Sequence, residues 1–152
     1  MPWAVERVEA GATLALRQRV LRPHQTLAEL ASADENDDAE TAHFAVIEDG
    51  DVIGTASVRR QAPPWGSDGP AWRLRGMATA EGRRSQGIGA AVLAAVIDRV
   101  RERGGGLLWC NARVPAVPFY QRAGFVTRGE SWVEPFIGPH VAMERTVDAA
   151  HR

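Results

Sequence analysis

RLRGMATAEGRRSQGIG, residues Arg73 to Gly89, divides into three parts. Leu74 to Thr79 is short, apolar and strand-like. A tight basic turn follows and closes in Arg84-Ser85-Gln86-Gly87-Ile88-Gly89. Ala90 to Ile97 then continues as an uninterrupted helical segment. The first N–H groups of a helix have no intrahelical partner and carry partial positive charge. Glycines let that backbone come close to an anion, and arginines add charge, so the stretch suits a phosphorylated cofactor. A glycine turn that merely caps a helix, with no ligand, would give the same pattern.

Spacing narrows the choice of cofactor. A dinucleotide fingerprint needs a third glycine three residues after the second, where this chain has Val92. A Walker A loop needs Lys-Ser or Lys-Thr after its last glycine, where this chain has Ala90 and Ala91. What is left is Arg-x-x-Gly-x-Gly. Farther along, Leu107 to Asn111 reads as a buried strand, followed by Ala116-Val117-Pro118-Phe119-Tyr120-Gln121-Arg122-Ala123-Gly124-Phe125.

The two motifs, in this order and at this distance, resemble the GNAT N-acetyltransferases. In these a helix carrying Ala-x-x-Phe-Tyr ends in Gly-Phe, which opens the next strand. Trp109-Cys110-Asn111-Ala112-Arg113 and Ile137-Gly138-Pro139-His140 are similar to segments of a group of small bacterial GNAT proteins. The resemblance spans about residues 13 to 147. It implies an α/β fold with a mixed, mostly antiparallel central sheet flanked by helices. It also implies acetyl-coenzyme A as co-substrate and no metal.

Bulk properties agree with one domain over residues 1–152, long enough to bury a core. With 18 basic and 19 acidic residues, nonspecific nucleic-acid binding is not favoured. The longest apolar run falls short of a membrane span. Glu6, Arg7 and Glu9 interrupt any secretory apolar region, so a cytoplasmic enzyme is expected. Cys110 is the only cysteine, and the histidines at 24, 43, 140 and 151 lack ligand spacing. A homodimer is compatible with these properties.

Element by element, helices are expected over 13–20 and, weakly, 26–31, with Pro23 ending the first. Asp34 to Asp38 reads as a solvated charged loop. Residues 43–48 and 52–59 around Asp49-Gly50 read as a hairpin. Gln61 to Pro70 is rich in turn residues and should be irregular. A strand over 72–79 leads to the long helix, which the glycines at 104–106 should end near Arg103. Strand 107–111, helix 115–123, strand 125–133 and a last strand near 140–147 complete the order.

By the resemblance, Arg84, Ser85, Gln86, Gly87, Ile88, Gly89 and Ala90 hold the cofactor's pyrophosphate. Arg83 is a further candidate for phosphate. Met77, Ala78 and Thr79 run beside the pantetheine arm, and Phe119, read mainly as core, borders it. Tyr120, the only tyrosine, is expected to protonate the departing thiolate. Many relatives carry an asparagine three residues before the motif alanine. Here that place is Arg113, and Asn111 sits two residues earlier, so its contact to the cofactor or a capping role both stay open.

Cys110 reads as a small buried residue, not a nucleophile. Many GNATs place a glutamate on the strand before the phosphate turn, where this chain has Arg73 and Arg75. A lysine-like amine of pKa ~10.4 is only about 0.04% neutral at pH 7, so a base matters. His140 is the first candidate, with Glu134 and His43 behind it. Arg73 or Arg75 in the cleft would favour an anionic acceptor. Within enzymes the alternative is transfer of another acyl group, or transfer to a hydroxyl; the missing glutamate and shifted asparagine keep open a coenzyme A-binding regulatory module without turnover.

Overall fold

The structure, a computed structural model, describes residues 2–33 and 40–150. The run Asp34 to Asp38 and His151 fall outside the described residues. The chain gathers into two compact units, Met1–Arg59 with Gly76–Val96 and Arg60–Arg75 with Ile97–Arg152.

In the first unit the sheet order is β1 (Ala4–Val8), β2 (Ala42–Glu48), β3 (Asp51–Arg60) and the end of β4 (Ala71–Thr79). β1 and β2 pair antiparallel from Ala4↔Ile47 to Val8↔His43, and β2 and β3 from Ala42↔Val58 to Glu48↔Asp51. Asp49 and Gly50 sit at φ 51° and 82°, the left-handed pair that a tight two-residue hairpin turn requires. The expected hairpin is therefore present. β1 is an addition to the expected order.

Helix α1 (Leu14–Leu21) follows a 3₁₀ turn at Ala10–Thr13 and stops ahead of Pro23. Helix α2 (Leu27–Ala33) begins with a reciprocal cap. The Glu29 N–H donates to Thr26 Oγ1 at 3.1 Å, and the Thr26 N–H donates to Glu29 Oε1 at 3.0 Å. The long helix α3 (Ile88–Glu102) buries Ile88, Val92, Leu93, Val96 and Val100, the spacing of a single helical face. Each such side chain stabilises the fold by about 1.5–3 kcal/mol.

In the second unit the order is β4, β5 (Gly106–Arg113), β7 (Gly138–Val147) and β6 (Val126–Glu134). β4 and β5 are parallel from Ala71↔Leu107 to Arg73↔Trp109. β5 and β7 pair antiparallel from Gly106↔Val147 to Arg113↔His140. β6 and β7 are also antiparallel, with a register shift between Arg128 and Trp132. A 3₁₀ turn at Val114–Ala116 leads into α4 (Val117–Arg122). Leu108, Trp109, Phe125, Met143 and Val147 form the core of this unit.

The segment Gln61 to Pro70 is irregular, as its turn residues require, and it is firmly anchored. The Trp109 indole N–H donates to Gln61 O at 2.8 Å, and that of Trp65 to Glu144 Oε2 at 3.1 Å. Arg128 lies over the Trp65 ring and pairs with Glu144 at 3.2 Å.

Candidate active site

The phosphate turn opens where β4 ends. The Ala80 N–H donates to Ile53 O and the Arg83 N–H to Ala80 O, closing the first bend. Gly87 is the N-terminal cap of α3, since its carbonyl accepts the first helical bond from Ala91 N–H at 3.0 Å. The N–H groups of Ile88, Gly89 and Ala90 lie ahead of that bond and have no helix carbonyl to reach. Gly87 stands at φ 83°, and a Cβ added there would meet nothing within 4 Å. The face of the turn is open at that position. Gly89 is within the first helical turn, where Ala90 is exposed. Ile88 is buried and anchors the helix start.

Arg84, Ser85 and Gln86 are exposed, so Arg84 keeps its charge at the surface of the turn. Arg83 is engaged within the first unit. Its Nη1 and Nη2 grip both carboxylate oxygens of Glu48 at 2.8 and 2.9 Å, and its Nε donates to Gln86 Oε1 at 2.8 Å. Three of the five guanidinium N–H donors are thus engaged inside the chain. The Arg83 hydrogen bonds hold the Glu48 carboxyl below the usual glutamate range. The pair therefore persists above the ordinary glutamate pKa of about 4.3 and is released as pH falls through the lowered value.

Along β4, Gly76 adopts φ 63° and its carbonyl accepts the Thr55 hydroxyl at 2.8 Å. Arg17 of α1, a buried cation, lies against this kink, its Nε 2.9 Å from where a Gly76 Cβ would stand. Met77 and Thr79 are half-buried and Ala78 is buried.

Tyr120 owes its place to the end of α4. The Phe125 N–H donates to Tyr120 O and the Gly124 N–H to Gln121 O, both at 3.0 Å. Gly124 takes φ 92°. This is the Schellman closure, whose accompanying apolar contact joins residues like Tyr120 and Phe125. Their rings meet edge-to-face at 5.4 Å, and Phe119 meets Tyr120 at 5.1 Å. Arg145 Nη1 donates to Ala123 O at 2.8 Å and completes the cap. Ala-Gly-Phe after Phe-Tyr-Gln-Arg thus fixes the tyrosine locally. Burial, with Cys110 nearby, drives the Tyr120 phenol well above its ordinary value, so it stays protonated at neutral pH.

Cys110 is buried and its thiol is pushed up to about 12 by desolvation, with Arg73 opposing. It is a thiol, not a thiolate, near neutrality. Cys110→Ala is expected to keep its activity. Intact-protein mass spectrometry with acetyl-coenzyme A alone should show no acetyl adduct on Cys110; an adduct that passes its acetyl group to an amine would contradict this.

His140 is buried on β7, stacked on Trp132 with centroids 5.9 Å apart. Its Nδ1 is 2.9 Å from Gly138 O. A carbonyl only accepts, so Nδ1 is the ring nitrogen that donates in this contact. Glu134 accepts the Trp132 indole N–H at 2.7 Å. His43 is buried on β2 in the first unit. Arg73 lies over the Trp109 ring at 5.1 Å, and Arg75 is half-buried. Asn111 is exposed on β5 opposite Ala142. The first unit therefore holds Met77 to Ala90, and the second holds Asn111, Phe119, Tyr120 and His140. The Glu48–Arg83 pair was missed, because nothing local links residues 35 positions apart.

Among the described residues no group of three or more side chains could hold a metal ion. No described helix is long and apolar enough to cross a membrane.

The strand β4, the left-handed turn and helix α3 follow one another on a mixed sheet. The Acetyltransferase (GNAT) family profile matches residues 11–125, and the chain belongs to that family. It is 34% identical over 143 residues to the uncharacterized N-acetyltransferase YitI of Bacillus subtilis (strain 168), covering 94% of this chain and 95% of that protein. Its fold is similar to an aminoglycoside 6'-N-acetyltransferase complexed with coenzyme A, at TM-score 0.77 and 13% identity over 98% and 99% of the two chains. It is similar too to the ribosomal-protein-S18-alanine N-acetyltransferase of Escherichia coli, at TM-score 0.72 and 19% identity over 99% and 97%. The chemistry of the family is acetyl-coenzyme A-dependent acetyl transfer.

Proposed function

We propose that this chain transfers an acetyl group from acetyl-coenzyme A to a primary amine, by direct attack while both substrates are bound. The observation that carries the reading is the open left-handed turn at Gly87, followed by the N–H groups of Ile88, Gly89 and Ala90. A cradle without a side chain, at the positive end of a helix, suits a pyrophosphate. When bound, acetyl-coenzyme A supplies an acetyl group already activated as a thioester.

The chain's own residues then divide the work. Arg84 and the N–H groups from Gln86 to Ala90 hold the pyrophosphate, with Ser85 shaping the bend. In the first unit, Met77 to Thr79 run beside the pantetheine arm. The Tyr120 hydroxyl donates toward the sulfur as the C–S bond breaks. A phenol that ionises above a thiol can hydrogen-bond the leaving group or protonate it late. His140 Nε2 takes the proton that the amine nitrogen loses as the new C–N bond forms.

If His140 is that base, His140→Ala should lose most rate near neutral pH. The deficit should shrink as pH rises and free amine becomes plentiful. A deficit constant across the range would make His140 a shaping residue instead. Initial rates with both substrates varied test the ternary route: intersecting double-reciprocal lines are expected, and parallel lines would point to an acyl-enzyme.

A further inference from the structure

The phosphate turn holds one residue in a conformation it does not favour. Gly82, Ser85 and Gly87 all take left-handed backbone angles, at φ 78°, 69° and 83°. Ser85 has no glycine freedom, and a left-handed backbone is unfavourable for a residue with a Cβ. Such residues persist only where the surroundings over-determine them. Backbone bonds from Ala80 to Ile53 and from Arg83 to Ala80 hold the first bend, and one side chain holds the rest. Arg83, in the middle of the turn, is clamped by both oxygens of Glu48 and itself holds Gln86.

Glu48 is the last residue of β2, beside the tight turn at Asp49-Gly50, so its own backbone is fixed by the sheet. Its side chain is only 13% exposed and that of Arg83 28%. A forked arginine–carboxylate pair has one good geometry, unlike a lysine pair.

We infer that Glu48, Arg83 and Gln86 form a positioning tether that locks the phosphate turn, from the tip of the β2–β3 hairpin, in its anion-ready shape. The inference rests on the reading of this turn as the coenzyme A site. It assigns Arg83 to geometry and leaves Arg84 as the turn's cation for phosphate. It also fixes the sign of an experiment. Glu48 is a carboxylate beside an anion site, so by charge alone Glu48→Gln should tighten coenzyme A binding. The tether requires the opposite.

The experiment is calorimetric titration of coenzyme A into the wild type, Glu48→Gln, Arg83→Gln, Arg83→Lys and the Glu48→Gln/Arg83→Gln double variant, with thermal midpoints recorded for each. Glu48→Gln and Arg83→Gln are each expected to weaken binding about tenfold, and the double variant no more than the weaker single, as for groups acting as one unit. Arg83→Lys keeps the charge but not the fork, and should bind as weakly as Arg83→Gln. Unchanged or tighter binding by folded Glu48→Gln, or wild-type binding by Arg83→Lys, overturns the tether and leaves the coenzyme A site standing. Failure of the wild type to bind coenzyme A overturns both.

Discussion

Gly87→Val is expected to weaken coenzyme A binding by about 10²-fold or more while the chain still folds. Two effects combine. Valine at a left-handed position strains the turn by about 1–2 kcal/mol, and its branched side chain fills the space in front of the helix N–H groups. Losing even two charge-assisted hydrogen bonds costs about 1.5–3 kcal/mol each. Gly89→Val, inside the first turn of α3, should act in the same direction through obstruction alone, since Gly89 is helical. Titration of coenzyme A into each variant, with a thermal unfolding check, measures this. Near-wild-type affinity in folded Gly87→Val and Gly89→Val proteins would remove the turn as the pyrophosphate site.

Tyr120→Phe carries the second large effect, a loss of about 10²–10⁴-fold in turnover with coenzyme A affinity nearly intact. The substitution deletes one oxygen and keeps the ring contacts to Phe119 and Phe125. The Schellman closure of α4 uses backbone groups, so the helix end should persist. A change in turnover can then be assigned to the hydroxyl. The measurement is a single-turnover acetyl-transfer rate, where chemistry is not masked by product release. An unchanged rate would take Tyr120 out of the reaction.

The parts of the site that were legible in the sequence are those built from short-range rules. Glycine spacing at 87 and 89 marks the start of α3, and Ala-Gly-Phe after Phe-Tyr-Gln-Arg closes α4 and seats Tyr120. The hairpin at Asp49-Gly50 follows from two adjacent left-handed residues. The capping box at Thr26 and Glu29 was equally local. Helix 26–31 was expected there, though the box itself places Thr26 outside α2 as its cap.

What escaped was non-local. β1, Ala-Val-Glu-Arg-Val, is too short to display a period, and its strand character comes from pairing with β2. Gln61 to Pro70 was expected to be irregular, but its anchoring by Trp65 to Glu144 joins residues 79 apart. Arg83 resembled a phosphate ligand from its neighbours alone. Its ion-pair partner, Glu48, arrives from another strand. His140 was placed by its motif, while the proton on Nδ1 follows only from the carbonyl of Gly138 beside it.

Incubation of the wild-type chain with carbon-13-labelled acetyl-coenzyme A and a panel of primary amines, followed by mass spectrometry of every product, tests the central claim most directly. The account predicts at least one acetylated amine carrying the label, formed in step with free coenzyme A and lost in Tyr120→Phe. Tight coenzyme A binding with no labelled amide from any acceptor would contradict it and make the chain a coenzyme A-binding module.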